Sequence, residues 1–297
     1  MLRVKNVTKY YGKFKAVDNL SFTVKPGEIF GLLGENGAGK TTTFRMIVGL
    51  LEASEGEITF NEEKIDYRTC DKISFVTEER SLLTKLTVEK MLKFYGVLKS
   101  MDEKTIDKQI DYWLEEFNIK DYKYKLIKEL SKGNQQKIQV ISALINNPKL
   151  LILDEPFSGL DPINVKLIKK AIKKMQKEGC TIIFSSHQMQ YIEDFCEKML
   201  ILVKGKAIVS GKISDIKKDY AKKTIVVKAD NLKARVLTKI DGVLSCEEKN
   251  GEITLQVAKD EVADEVFNAV KKYKVHKFTV DDASLNDIFI HYVGGAK

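Results

Sequence analysis

The sequence has little cysteine. Its four, Cys70, Cys180, Cys196 and Cys246, form no CxxC pair and no regular framework. That excludes a disulfide scaffold and fits reduced thiols in a cytosolic protein. Long apolar runs are missing as well. Stretches such as LLILD and MLILV are strand-sized, far short of the ~18 residues a membrane helix needs. The opening MLRVKNVTKYYGK has no apolar core of the kind a secretory leader carries. The expectation is a chain that does not cross a membrane by itself. Only four prolines, with 18 glycines, argue against low complexity. The net charge of +8 comes without any cluster of arginine and aromatic residues. Nucleic acid is therefore not expected as a partner. The surplus lysine reads first as solvated surface and second as contact with an anionic membrane face.

What is present is enough for a sizeable core. The 297 residues are 43% hydrophobic, which allows one large domain or two unequal ones. The apolar strand Ile29 to Leu33 ends in a glycine-rich turn, and KTTTFRMIVGLL then has helical periodicity. Residues 87 to 147 read as mostly helical, with one apolar stripe of Ile106, Ile110, Trp113, Leu114 and Phe117. From Leu150 the period changes. LLILD and TIIFSS are continuous apolar runs, as in strands buried on both faces. Between them lies a helix with Asp161 as N-cap and Pro162 at its first position, closing near Gly179. This alternation predicts an α/β fold with a parallel, doubly wound sheet. Lys217 to Lys223 is a charged stretch that fits a linker. Beyond it, the order strand, helix, hairpin turning at Asn250-Gly251, helix, strand predicts a small α+β ferredoxin-like unit with an extra helix, SLNDIFIHYV.

Two motifs carry chemistry. GENGAGKTT, made of Gly34, Glu35, Asn36, Gly37, Ala38, Gly39, Lys40, Thr41 and Thr42, fits GxxxxGK[ST] between a strand and a helix. Its glycines let successive N–H groups point inward, and the helix start adds partial positive charge. Lys40 is a mobile point charge for the β- and γ-phosphates. Thr41 offers a hydroxyl to Mg²⁺, which keeps several waters and takes few protein ligands. LLILDEP supplies the complement. Asp154, at the strand's C-terminal end, can hold the Mg²⁺ hydration shell. Glu155 is next in line, and at a strand end it can turn to the site and direct an attacking water. His187 follows TIIFSS on the same sheet edge. A third segment, ELSKGNQQKIQ, is a second helix start of the kind a phosphate seeks, with Ser131, Lys132, Gly133 and Asn134 in its first turn. Read alone it is an ordinary capped helix.

In combination the motifs are specific. The phosphate loop, LSKGN, LLILDEP, SGLDP and SSH occur in that order over residues 34 to 187. The set resembles the ATP-binding subunit of ABC transporters, over roughly residues 1 to 215. The resemblance implies a P-loop ATPase domain over residues 1–216, a helical subdomain at about 79–147, and a C-terminal accessory domain over 217–297. It implies ATP and Mg²⁺ as cofactors and a head-to-tail dimer, with a second copy or a related subunit, around two shared ATP. Tyr11 would stack on adenine, and His187 would hold the γ-phosphate. Ser131 and the N–H groups around Gly133 would close on the partner's nucleotide, and Asp161 would link the two sites. The chain departs from the family pattern at Lys132 and Asn134. Glu78 stands where a glutamine is usual. A carboxylate there enters the metal shell when the dimer closes, or points away toward Arg80. TEERSLL, LSKGNQQK and SLNDIFI look like the subgroup serving separate ABC-2-type membrane exporters, some described as sodium-extruding or drug-exporting. That implies a multispanning permease partner, docked on the helical segment around 79 to 130, and a place on the inner face of the cell membrane.

Three other readings compete. Thr238-Lys239-Ile240-Asp241 matches the guanine-reading TKxD pattern of GTPases, but it lies in the C-terminal unit. A soluble ABC-type protein acting on ribosomes or nucleic acid usually carries two cassettes or a long insertion, and this chain has neither. A metabolic kinase would leave LSKGN without a task.

Overall fold

The structure, a computed structural model, describes residues 1–220, 222–259 and 261–294, including the side chains of all of these except 67 and 68. The chain divides into two compact units, Met1–Ser210 and Gly211–Lys297.

The first unit is built on two sheets. Strands β1 (Leu2–Tyr11), β2 (Phe14–Val24), β4 (Glu55–Phe60) and β5 (Glu63–Lys64) pair in the order β2-β1-β4-β5, with antiparallel ladders throughout. The second sheet takes β3 (Ile29–Leu33), β6 (Ile73–Val76), β7 (Leu150–Asp154), β8 (Thr181–Ser185), β9 (Lys198–Val203) and β10 (Lys206–Lys212) in the order β10-β9-β3-β8-β7-β6. Every ladder from β9 through β6 is parallel. Strands β3, β7 and β8 are buried at every position, which explains why they read as unbroken apolar runs rather than alternating ones. Because they are parallel, their C-terminal ends share one edge, where α/β sheets collect ligands.

Helix α1 (Lys40–Ile47) follows β3 and packs between the two sheets. Its Phe44 is fully buried in the core shared with Leu2, Leu20, Leu32 and Ile152, and it meets Phe75 edge-on at 6.0 Å. Between β6 and β7 the chain makes a helical layer of α2 (Val88–Leu98), α3 (Glu103–Glu116) and α4 (Lys132–Leu144). The stripe expected on α3 is buried as a whole, and Gly96 on α2 lets Ile106 approach where a Cβ would stand 2.6 Å from it. Helix α4 touches α2, β6 and α5 (Pro162–Lys177). It joins the helical layer to the sheet and is buried on nearly all sides after its first turn. Helix α6 (Met189–Phe195) covers Gly31 of β3 through Ile192.

The second unit begins with α7 (Ile213–Asp219), so part of the charged run offered as a linker is helical. Strands β11 (Lys223–Ala229), β12 (Val243–Lys249), β13 (Glu252–Val257) and β14 (Val275–Asp282) form an antiparallel sheet in the order β12-β13-β11-β14. With α8 (Ala234–Leu237) and α9 (Glu261–Val270) between them, this is the ferredoxin-like arrangement read from the sequence. The hairpin turns at Asn250 and Gly251, both at positive φ, as a two-residue primed turn requires. One expectation shrinks: the helix read into NLKARVLTK is a single turn of four residues. Helix α10 (Leu285–Gly294) is the extra helix; Ser284 and Asp287 exchange hydrogen bonds at its start.

Removing the buried ring of Phe44 tests how far α1 depends on its core. Phe44→Ala is expected to destabilise the first unit by about 3–5 kcal/mol. Denaturant unfolding followed by the single tryptophan, the buried Trp113, reports that unit alone. A shift below about 1 kcal/mol on the same scale would contradict this packing.

Candidate functional site

The glycine-rich loop leaves β3 at Gly34 and enters α1 at Lys40. Two of its glycines are required by close contact. A Cβ on Gly34 would stand 2.5 Å from the Leu202 carbonyl, and one on Gly39 would stand 2.6 Å from that of Ala16. Gly39 also has φ +107 and serves as the N-cap of α1 with no side chain to cap it. No side-chain cap closes the first turn at Gly39, and an uncapped helix start is the backbone arrangement that binds anions. Lys40 lies back over the loop, its ammonium donating to Gly34 O at 2.6 Å and Glu35 O at 3.2 Å. Thr41 is exposed and Thr42 half-buried beside it. Tyr11 ends β1 in an exposed hairpin whose tip also exposes Phe14, and Lys9 lies 5.7 Å from the Tyr11 ring centroid. The strand leaving this hairpin passes the loop at Ala16.

Asp154 and Glu155 lie at the edge reached by β7. Asp154 is 4% exposed and Glu155 7%. Carboxylates are costly to bury unpaired, and each has its own support. Ser185, directly across the ladder from Asp154, donates to it at 2.5 Å. Desolvation pushes the Asp154 carboxyl above the usual range; the Lys40 ammonium pulls it down and the Glu78 carboxylate pushes it up. Lys40 and Glu78, distant in sequence, thus both bear on Asp154.

Glu155 adopts φ +49, a left-handed conformation that a residue with a long side chain seldom takes. That twist turns its side chain out of the strand's alternation. Its amide points to Ser185 O at 3.2 Å, and its carboxylate meets His187 Nδ1 at 2.8 Å and accepts from Ser186 Oγ at 3.3 Å. Burial pushes its pKa up, while the His187 ring opposes the shift. His187 is itself largely exposed. Sequence reasoning missed Ser185 and Ser186; the available signal was two hydroxyls directly after the apolar run at residues 182–184.

Ser131 caps α4, its Oγ accepting from Asn134 N at 3.3 Å, and Lys132 is exposed beside it. A Cβ on Gly133 would come within 3.0 Å of Asn164 Nδ2. Asn164 is the residue through which Asp161 is held: Asp161 Oδ1 accepts from Ile163 N and Asn164 N at 3.0 Å each, the cap expected for α5. Two helix starts, α4 and α5, therefore pack against each other. Arg80, the alternative partner considered for Glu78, turns toward α4, where its Nε donates to Gln136 Oε1 at 3.3 Å. The Thr238–Asp241 segment belongs to the other unit and forms the cap of α8 and the turn after it. Among the described residues no helix is long and apolar enough to cross a membrane, and no group of three or more His, Cys, Asp or Glu side chains converges as a metal cluster.

Known proteins resemble this chain over both of its units. The family model for ABC transporters matches residues 17–158, and that for the C-terminal domain of DrrA1-3-like ATP-binding proteins matches 211–293. An uncharacterized ABC transporter ATP-binding protein of Bacillus subtilis, YhaQ, is 45% identical over 295 residues, covering 99% of each chain. The lipopolysaccharide export system ATP-binding protein LptB of Haemophilus influenzae is 36% identical over 76% of this chain and 96% of its own. Among solved structures, a dimeric ATP-binding cassette in a post-hydrolysis state with ADP and Pi superimposes with TM-score 0.66 at 26% identity, over 72% of this chain and 99% of that one.

The buried carboxylates make a pH prediction. Asp154 has a raised pKa in the folded chain, so folding favours its protonated form and its ionisation at neutral pH costs stability. Asp154→Asn should therefore raise the melting temperature of the nucleotide-free chain at pH 7. The gain should fade on acidification through the raised pKa, where the wild-type group is already neutral. A destabilising effect that is the same at both ends of a melting series from neutral to acidic pH would contradict this.

Proposed function

Because this chain belongs to the ABC transporter ATP-binding proteins, we propose that it works as the ATP-hydrolysing motor of a separate membrane exporter, closing head to tail with a second copy around two ATP. The observation that carries the reading is the meeting of three things at one sheet edge. An uncapped helix start follows the glycine loop, a lysine is stored on that loop's carbonyls, and two adjacent buried carboxylates stand beside them.

In this reading the amides of Gly34–Thr42 receive the phosphates, and Lys40 exchanges its two carbonyl acceptors for phosphate oxygens. Tyr11, exposed at the hairpin tip, stacks on the adenine. The donor set fits a hard cation. A desolvated Asp154 within the field of Glu78 is short of positive charge, and oxygen ligands in small number suit Mg²⁺. Thr41, Asp154 and Glu78 would hold it, and when bound it supplies charge neutralisation on the phosphates. Glu155 directs the attacking water. Its raised pKa makes it a better proton acceptor than a free carboxylate, and its contact with His187 orients it; His187 steadies the γ-phosphate. Ser131, Lys132, Gly133 and Asn134 face the partner's nucleotide, and Asp161 lies beside them to connect the two sites.

A docking place for the permease is supported by the exposed apolar side chains of the helical layer: Phe94, Val97 and Leu98 on α2, Leu83 just before it, and Tyr124, whose neighbours Lys123 and Lys125 accept through their carbonyls from the first amides of α2. Patches of this kind mark partner surfaces. Export, rather than uptake, is supported by the likeness to LptB, an ATP-binding protein of a lipopolysaccharide export system. The charge of +8 suits the anionic inner face of a membrane.

Two measurements check the reading. Glu155→Gln with ATP and Mg²⁺ should sediment as a dimer; a strictly monomeric variant that still binds ATP would remove the shared-site model. Ser131→Ala should lower hydrolysis by at least about tenfold, as loss of one preorganised donor does, with ATP affinity of the monomer within twofold. Loss of monomer binding instead would mean that the loop serves its own subunit.

A further inference from the structure

Helix α4 carries two glutamines that its own hydrogen-bond ladder does not need. Gln136 and Gln139 are 2% and 6% exposed, and at a spacing of three they share a face. Gln139 Nε2 donates to Thr77 O at 2.9 Å and to Glu79 O at 3.3 Å, and stands 3.4 Å from Thr77 Oγ1. Its amide therefore straddles Glu78 and holds the carbonyls of both neighbours. Gln136 bridges in the other direction. It accepts from Arg80 Nε at 3.3 Å and donates to Pro156 O at 3.2 Å, one residue beyond Glu155. The orientation of both amides follows from these partners, since carbonyls only accept.

The loop at Thr77–Arg80 otherwise has little to fix it. Residues 78 to 80 are exposed, and the local bonds among the described residues are those of Thr77 Oγ1, which donates to Glu79 O at 2.7 Å and stands 3.5 Å from Ser81 Oγ. The same helix begins at Ser131, about 12 Å away from Gln139 along its axis at 1.5 Å per residue. One rigid, buried rod thus has the LSKGN turn at its tip and grips the segments around Glu78 and Glu155 along its flank.

We infer that α4 is a lever on which Gln139 is a positioning residue for hydrolysis. It sets Glu78 relative to Asp154, and Gln136 does the same for the turn after Glu155, so that movement of the LSKGN tip is passed to the carboxylates of the same chain. The inference rests on the proposed ATPase reading for its catalytic consequence. Its physical basis is that Gln139, itself buried, is the fixed donor for an otherwise exposed loop, and a loop that loses such bonds opens more readily. An ångström of misplacement at a reacting centre costs about a hundredfold in rate.

Gln139→Met tests it, since methionine has nearly the same volume and no donor. The variant should lower kcat about tenfold or more, within the range for misplaced groups, with KM for ATP within twofold. In the full-length chain without nucleotide, amide exchange over residues 77–82 should quicken while that of α4 stays unchanged. In a Glu78→Ala background Gln139→Met should change kcat by less than twofold, because its target is gone. Unchanged kcat overturns the inference, as does a full tenfold loss that persists without Glu78, which would mark a general packing defect. The exchange arm needs no hydrolysis. If the parent chain proved inactive, the ATPase reading would fall, and unchanged exchange at 77–82 would separately overturn the lever.

Discussion

Asp154 and Glu155 are ionisable groups buried at the end of a strand whose other residues are all apolar, and most of the site exists to make that tolerable. An isolated carboxylate in such surroundings would neutralise itself. The neighbours divide the work. Ser185 and Lys40 act on Asp154, while Ser186 and His187 act on Glu155. The compensation is incomplete, since burial still raises both pKa values. A site left short of positive charge at its centre is one that a cation, or a substrate bringing one, stabilises. The sheet order follows the same need, because only strands with their C-terminal ends on a common edge bring Gly34, Asp154 and Ser185 together.

Helix α4 meets a related constraint. Nearly every residue after its first turn is buried, including three polar ones: Gln136, Lys137 and Gln139. Lys137 reaches the carbonyl of Phe117 at 3.3 Å, at the C-terminal end of α3, where a positive charge meets the negative end of a helix dipole. Desolvation still lowers its pKa. Buried polar groups of this kind contribute little net stability, but they fix which elements touch and in what register. Here they tie α4 to α3, to the loop after β6 and to the turn after β7.

Much of this was readable in the residues. Chemistry that depends on local geometry was the most legible: Gly34 and Gly39 for close approach, Asp161 with Pro162 for a helix start, Asn250-Gly251 for the hairpin turn. Continuous apolar runs identified β7 and β8 because a strand covered on both faces has no polar side to display. The βαββαβ order of the second unit was legible from alternation and turns, whereas the length of α8 was not, since a propensity pattern in NLKARVLTK does not state how much of it tertiary contacts will sustain. The left-handed φ of Glu155 was illegible. Nothing in LLILDEP signals it: the ladder to β8 ends at Asp154 opposite Ser185, and Glu155 turns at the first residue beyond it. The glutamines of α4 were equally hidden, as they read as ordinary helix formers until the fold brings Thr77 and Pro156 to them.

The charged and polar groups expected to meet ATP are already engaged within the chain. Lys40 donates to Gly34 and Glu35 carbonyls, and Ser131 accepts from Asn134. Binding therefore exchanges hydrogen bonds rather than adding them, and an exchange of similar partners contributes only about 1 kcal/mol each. Most of the binding free energy must come from elsewhere: phosphate charge on the uncapped start of α1, and neutralisation of the raised carboxylates. Both sit within one chain and favour nucleotide binding alone. In the function proposed above, Ser131 and Gly133 favour closure, because there their partner is on another copy. Binding and closure thus draw on separate residues, and α4, which belongs to both sets through Ser131 at one end and Gln136 and Gln139 along its side, is the element through which one can depend on the other.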